Sequence, residues 1–145
     1  MFDALTLHRV AHALHRAGFG RSANLVCAAG RVLFSAHLPP EAKIGEGTEV
    51  SYGGIGVIVH REAIIGRNVL LAPGVVVGGR SGLPGAPVIE DDVKIGAGAK
   101  ILGPIRIGAG ALVGANAVVI HDVAPGETVA GIPARPIRSK NRSAA

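Results

Sequence analysis

Residues 89–120 read "IEDDVKIGAGAKILGPIRIGAGALVGANAVVI", with a branched aliphatic at every sixth position: Ile89, Ile95, Ile101, Ile107, Val113 and Val119. A second set keeps the same step: Val93, Ala99, Ile105, Ala111, Ala117 and then Val123. A helix repeats every 3.6 residues and an ordinary strand every two, so neither accounts for a period of six. A chain wound as a three-sided coil does. Each side is a short strand, each corner a turn, and three sixes complete one coil of a parallel β-helix. The first residue of each six points inward and stacks on its counterpart one coil away. The fifth also points inward, where a triangular cross-section leaves little room. Glycine often takes the second place, where the chain turns and tolerance of unusual dihedrals is useful. Backbone hydrogen bonds then run between coils, so the array needs several of them.

The ladder begins at Ile44 and Val50 and breaks in "SYGGIG", where three extra residues delay the next member to Val59. It resumes at Ile65, Leu71 and Val77, and a second irregularity, "GGRSGLPGAP", spans 78–87. Thr48, Ala63, Val69 and Val75 fill the fifth places of this earlier part. Residues 44–123 supply about four coils by this repeat. Ahead of them two short helices are expected. Asp3 is placed to cap the first, whose Leu7, Val10 and Leu14 form an apolar stripe, and Gly18 and Gly20 stop it. Ser22 is placed to cap the second, with Leu25, Val26, Ala29, Val32 and Leu33 toward a core. Pro39 and Pro40 then enforce extended backbone. The expected organisation is a helical segment over 1–36, a β-helix domain over 37–134 and a basic tail over 135–145.

Composition supports one domain built without aromatics. Of 145 residues 48% are hydrophobic but only 3% aromatic, with no tryptophan, so the core must be Val, Ile, Leu and Ala. The single cysteine, Cys27, excludes an internal disulfide and fits a reducing compartment. No stretch reaches the roughly 18 unbroken apolar residues of a spanning helix, and the N-terminus lacks signal-peptide features. The expected compartment is the cytoplasm. A net charge of +5 attracts phosphate-bearing ligands. Nucleic acid is not the expected partner, because stacking aromatics and a recognition helix are missing. Membrane contact is not expected either, since the basic first helix has no tryptophan and several small residues.

The segments "HRVAHALHRAG" (8–18), "LPPEAKIGEG" (38–47), "VVVGG" (75–79), "VKIGAGAKILGPIRIGAGALVGANAVV" (93–119) and "VAGIPAR" (129–135) together resemble the hexapeptide-repeat acyltransferases. Within them the likeness is to serine O-acetyltransferase and its short relatives. The resemblance implies an all-β, left-handed parallel β-helix with two short N-terminal α-helices, a homotrimer with sites between subunits, and acetyl-CoA as co-substrate. Handedness rests on the resemblance alone, because general rules favour right-handed crossovers. The chain also departs from the pattern. The family's Asp-His pair is replaced by Ser51-Tyr52. The later loop has Ala86 before Pro87 where the family has a histidine, and His37 stands near the place of an upstream carboxylate. "SYGGIGVIVH" is similar instead to a short sugar- and capsule-associated branch, in which a histidine, here His60, follows the aliphatic run.

Acetyl transfer from a thioester to an alcohol needs a base to take the hydroxyl proton. His60 is the candidate base, beside the first irregularity. Tyr52 is a candidate for the acceptor, and Glu62 for pairing with His60. His121 reads as structural. His8, His12 and His15 form an i, i+4, i+7 stripe that reads as a solvated or interface face rather than a metal site, and no metal is expected. Cys27 reads as helix core. The resemblance places acetyl-CoA in a groove between coils of neighbouring subunits. Ala97 and Ala115 would leave room for its pantetheine arm, with Lys100, Arg135 and Arg138 toward its phosphates. The expected activity is acetyl-CoA-dependent O-acetylation of a small-molecule hydroxyl, on serine or a sugar or polysaccharide. The alternative is a catalytically impaired hexapeptide scaffold or trimeric partner-binding protein.

Overall fold

The computed structural model describes residues 1–137. Two helices, α1 (Ala4–Arg16) and α2 (Gly20–Phe34), precede the coils. The first coil carries β1 (Lys43–Ile44) and β2 (Glu49–Val50), and a short 3-10 turn (Ser51–Gly54) follows. The second carries β3 (Ile58–Val59), β4 (Ile64–Ile65) and β5 (Leu70–Leu71). The third carries β6 (Val76–Gly78), β7 (Val88–Ile89) and β8 (Lys94–Ile95). The fourth carries β9 (Lys100–Leu102), β10 (Arg106–Ile107) and β11 (Leu112–Val113). β12 (Val118–Val119), β13 (Thr128–Gly131) and β14 (Ala134–Pro136) close the end.

Strands of successive coils pair in parallel to give three walls: β1-β4-β7-β10, β2-β5-β8-β11-β13 and β3-β6-β9-β12. β14 alone folds back antiparallel on β13. The fold is a left-handed parallel β-helix of about four turns. Coil-to-coil partners lie 18 residues apart where the repeat is unbroken (Lys94↔Leu112). They lie 21 apart across the first irregularity (Lys43↔Ile64) and 24 apart across the second (Ile64↔Val88). The extra residues leave the wall between β2 and β3 and between β6 and β7. Those are the two edges of the β3 wall.

Inside the prism the ladders stand as the period of six requires. Ile89, Ile95, Ile101, Ile107, Val113 and Val119 are all buried, as are Val93, Ala99, Ala111, Ala117 and Val123. Ile105 is the exception, half-buried beside Pro104 at a corner. Thr48, a polar residue in a fifth place, donates its hydroxyl to the Gly66 carbonyl at 2.8 Å and accepts from the Val69 amide at 3.1 Å, so its burial leaves no orphan. Glycine is obligatory at Gly45, where a Cβ would lie 2.5 Å from the carbonyl of Gly66 in the next coil.

The helices cover the first coil, but not with the faces expected. Asp3 does cap α1, accepting from the Thr6 amide at 2.8 Å. The inward residues of α1 are Ala4, Leu5, His8 and Ala11, while Val10 is 48% exposed. α2 starts at Gly20 behind Phe19, with no side-chain cap, so Ser22 lies inside its first turn rather than capping it. Its inward stripe is Ala23, Cys27 and Gly30, and the expected core residues Leu25, Val32 and Leu33 lie outside, with Val32 84% exposed. The face of α2 that packs inward is thus made of small residues, with Gly30 next to Leu7 of α1. Of the histidine stripe of α1, His8 and His12 are turned inward rather than solvated, and His15 is exposed. His8 is 4% exposed and meets the Leu38 carbonyl, and His12 donates to the Pro40 carbonyl at 2.7 Å. Ala4, Leu5 and Ala36 join the β-helix core, so the helices and coils share one interior. The boundary expected after 134 falls inside β14.

Candidate functional site

A groove of about 560 Å³ runs along the outer surface of the β3 wall, bounded by α2. Its floor is the outer side of β3 and β6, where Ile58 is the exposed apolar side chain, and one side is the α2 stripe Asn24, Cys27 and Arg31. His37 enters it because the chain after α2 already runs as a strand. The His37 amide donates to the Val57 carbonyl, the Val59 amide donates to the His37 carbonyl, and His37 bridges Ile58. His60 enters two residues beyond Ile58, on the same outward side. The groove thus brings together two imidazoles that are 23 positions apart in the chain.

The two rings meet different partners. The Glu62 backbone amide donates to His60 Nδ1 at 3.1 Å. An amide can only donate, so Nδ1 holds the lone pair and the neutral ring carries its proton on Nε2. Nε2 therefore presents a donor. In this tautomer Nε2 can accept a proton only after the ring gives up the Glu62 amide. The expected partnership with Glu62 is likewise made by its backbone and not by its carboxylate. At His37, the Cys27 thiol donates to the Leu38 carbonyl at 3.4 Å, and Nδ1 faces the sulfur at 3.9 Å. With the thiol proton engaged elsewhere, the contact is compatible with Nδ1–H facing the sulfur, the tautomer that leaves the lone pair on Nε2. Burial, and then the Arg31 charge, lower the His37 pKa against the opposing pull of Glu41, which favours the neutral ring. Cys27 is buried as expected for helix core, and burial pushes its thiol up, which suits a hydrogen-bonding spacer and not a nucleophile.

Arg61 pairs with Glu41 at 3.3 Å on the rim of the groove. Tyr52 is not brought to it: the residue sits in the 3-10 turn with φ 52° and is 86% exposed. Lys100 lies on the same wall as the groove, in register with Val76, which pairs with Ile58; its ammonium folds back on the Gly98 carbonyl at 2.8 Å. Ala97 and Ala115 stack on successive coils at the corner leading into that wall, where the Asn116 amide donates to the Ala97 carbonyl. At the corner that follows the β1 wall, carboxylates of Asp91 and Glu90 take the amides of Arg67 and Ala109. At the alanine corner no described side chain takes the amides of Ala97 or Ala115. Arg135 lies on β14, on a different wall, with its guanidinium against the Ala134 carbonyl. Arg138 lies outside the described residues. Within one chain, then, the wall gathers His37, His60 and Lys100 but neither Tyr52 nor Arg135.

His37 was missed as a site residue by sequence reading, although a signal existed. One more step of six back from Ile44 reaches Leu38, and one back from Thr48 reaches Ala42, both buried in the core. That extension makes 37–42 part of the ladder and turns His37 outward beside Ile58. Arg31 and Asn24 gave no such signal. Among the described residues, no group of three or more His, Cys, Asp or Glu could hold a metal ion, and no helix is long and apolar enough to cross a membrane.

Residues 86–121 match the family model described as bacterial transferase hexapeptide (six repeats). A serine acetyltransferase of Helicobacter pylori (strain J99) is 38% identical over 136 residues, covering 92% of this chain and 79% of that protein. A serine acetyltransferase of Bacillus subtilis (strain 168) is 40% identical over 134 residues, covering 91% of this chain but only 61% of its own length. The chain thus spans about three-fifths of that relative. Among solved structures, a serine acetyltransferase in complex with CoA superposes with a TM-score of 0.86 at 35% identity, over 92% of this chain and 55% of that one.

Proposed function

We propose that this chain, which belongs to the serine acetyltransferase family of hexapeptide-repeat proteins, transfers acetyl from acetyl-CoA to a hydroxyl of a small acceptor, serine or a sugar or polysaccharide. The observation that carries this reading is the pair of imidazoles in one groove, one free to accept a proton and the other to donate. In the proposed step the acceptor oxygen attacks the thioester carbonyl carbon while its proton passes to His37 Nε2. The carbonyl oxygen, now negative, faces the Nε2–H of His60. The C–S bond then breaks, and CoA leaves as a thiolate that takes the proton back from His37. The open amides of Ala97 and Ala115 suit the amide groups of a pantetheine arm, and Lys100 suits a phosphate. Arg135 and Tyr52 lie away from the groove within one chain, and a neighbouring copy is the proposed route by which they reach such a site. A homotrimer with sites between subunits is therefore part of the proposal, as is a cytoplasmic setting, which the single reduced cysteine suits.

Glutamine substitutions test the assignment, since the glutamine amide replaces a donor at Nε2 but not a base. His37→Gln is expected to lower kcat by about 10²–10⁴-fold, and His60→Gln by far less than His60→Ala. Equal losses in His60→Gln and His60→Ala, with His37→Gln active, would overturn the roles. Tight acetyl-CoA binding with no thiol release on any hydroxyl acceptor would point to the scaffold alternative, and sedimentation checks the trimer.

A further inference from the structure

We infer that Cys27 is a positioning residue for His37: its sulfur receives the Nδ1–H of the ring, which fixes the lone pair on Nε2, the atom assigned as the base. This rests on the proposed transfer reaction and says what holds its base in the working tautomer.

The thiol proton can be located from its neighbours. The Leu38 carbonyl lies 3.4 Å from the Cys27 sulfur and 3.4 Å from Nδ1 of His8. A carbonyl only accepts, and its two lone pairs admit both donors, so the S–H and the His8 N–H both point at it. Burial raises the thiol pKa, which keeps this proton on the sulfur at neutral pH. What the sulfur then turns toward His37 Nδ1, 3.9 Å away, is lone-pair density. A bare Nδ1 there would set lone pair against lone pair. With Nδ1–H the contact is attractive, and Nε2 is the nitrogen left to take a proton. A histidine base works only from the tautomer whose lone pair faces the reacting hydroxyl. The backbone holds these parts in place. Cys27 lies on the inward stripe of α2 between Ala23 and Gly30, and the segment carrying His37 is tied to Val57 and Val59. Ala23 and Gly30 bring no polar side-chain atom to that stripe, whereas Cys27 brings a donor and an acceptor in one atom. Among the described residues no other group is hydrogen-bonded to the His37 ring, and Arg31 and Glu41 act on it through charge. The sulfur is thus the one contact that tells Nδ1 from Nε2.

The test reads the tautomer directly in the full chain. Long-range proton–nitrogen NMR correlations of the imidazole rings are recorded at about pH 8, where a histidine ring is neutral. His37 is assigned from the signals lost in His37→Gln. We expect Nδ1–H for His37 in the wild type and Nε2–H, or a mixture of the two, in Cys27→Ala. Cys27→Ser should return the ring to Nδ1–H, since a hydroxyl donates and accepts as the thiol does. CoA thiol release is then followed from acetyl-CoA with serine and with glucose as acceptors. Cys27→Ala should lower kcat about three- to tenfold, the worth of one modest hydrogen bond, with KM unchanged. Cys27→Ser should recover most of that loss. A merely structural role would loosen α2 and raise KM as well. A wild-type His37 ring protonated on Nε2, or an Nδ1–H pattern that survives in Cys27→Ala, would overturn the inference, and so would an unchanged kcat in that variant. If neither acceptor is turned over, the transfer reading fails by itself, because the tautomer is read without substrate.

Discussion

Lowering the pH from 7.5 to 5 is expected to loosen α1 from the first coil, with His8 as the group responsible. The ring is 4% exposed, and its Nδ1 meets the Leu38 carbonyl at 3.4 Å. Burial, with the smaller repulsions of His12 and Arg9, pushes its pKa from 6.5 down to about 4, although the Leu38 and Ala42 carbonyls pull the other way. The unfolded chain takes up a proton near pH 6.5, and the folded chain does not until about pH 4. Stability is therefore intact above 6.5, falls through the window between 6.5 and 4, and levels off below it. A gap of that size corresponds to about 3.4 kcal/mol in full, and about 2 kcal/mol of it is gone by pH 5. The assay is urea unfolding followed by far-UV circular dichroism at pH 7.5, 6 and 5, at fixed protein concentration because oligomers gain stability by mass action. His8→Asn keeps a donor for Leu38 but cannot titrate in this range. The wild type should lose about 2 kcal/mol more than His8→Asn between pH 7.5 and 5. Carboxylates and histidines distant from His8 contribute about equally to both curves and cancel, and a His12→Asn background removes the coupling to its stacked neighbour. Parallel curves would refute the reasoning, and would mean that protonated His8 finds a solvated position without opening the helix.

Truncating one rung of the inner ladder, Ile101→Ala, should cost about 2–5 kcal/mol in the same unfolding assay, since the site is fully buried and its neighbours are tied by ladder hydrogen bonds. Gly45→Ala should destabilise by about 1–3 kcal/mol, because the added carbon meets backbone of the next coil and not a movable side chain. Asp3→Ala removes the cap on Thr6 and should cost about 1 kcal/mol, read as lower thermal stability. With His37 as base and its pKa lowered by burial and Arg31, the acidic limb of the kcat/KM profile should lie below the ordinary imidazole value. It should move up in Arg31→Gln.

The prism was legible because its rule is local and repeated. Once Ile89, Ile95 and Ile101 are seen to share a spacing, their burial follows, and even the interruptions could be measured, three residues in "SYGGIG" appearing as a 21-residue step between coils. The helices were not legible in the same way. Leu25, Val32 and Leu33 are the more hydrophobic residues of α2, and a rule that buries hydrophobic residues turns them inward. The face that packs inward instead carries Ala23, Cys27 and Gly30, set by how α2 lies on α1 and not by hydrophobicity. His60 was found because it breaks a glycine slot. Its tautomer depends on the direction of the Glu62 amide, which no spacing encodes. His37 and Arg31 come together only through the way α2 lies across the first coil.

Both departures from the 18-residue step hang from the two edges of a single wall, but they are not alike. The first packs Gly54 against Ala4 and Val50, so it also helps to seat the helices on the coils. The second is exposed over 79–85 and can be lengthened, shortened or replaced while the column of aliphatics goes on stacking as before.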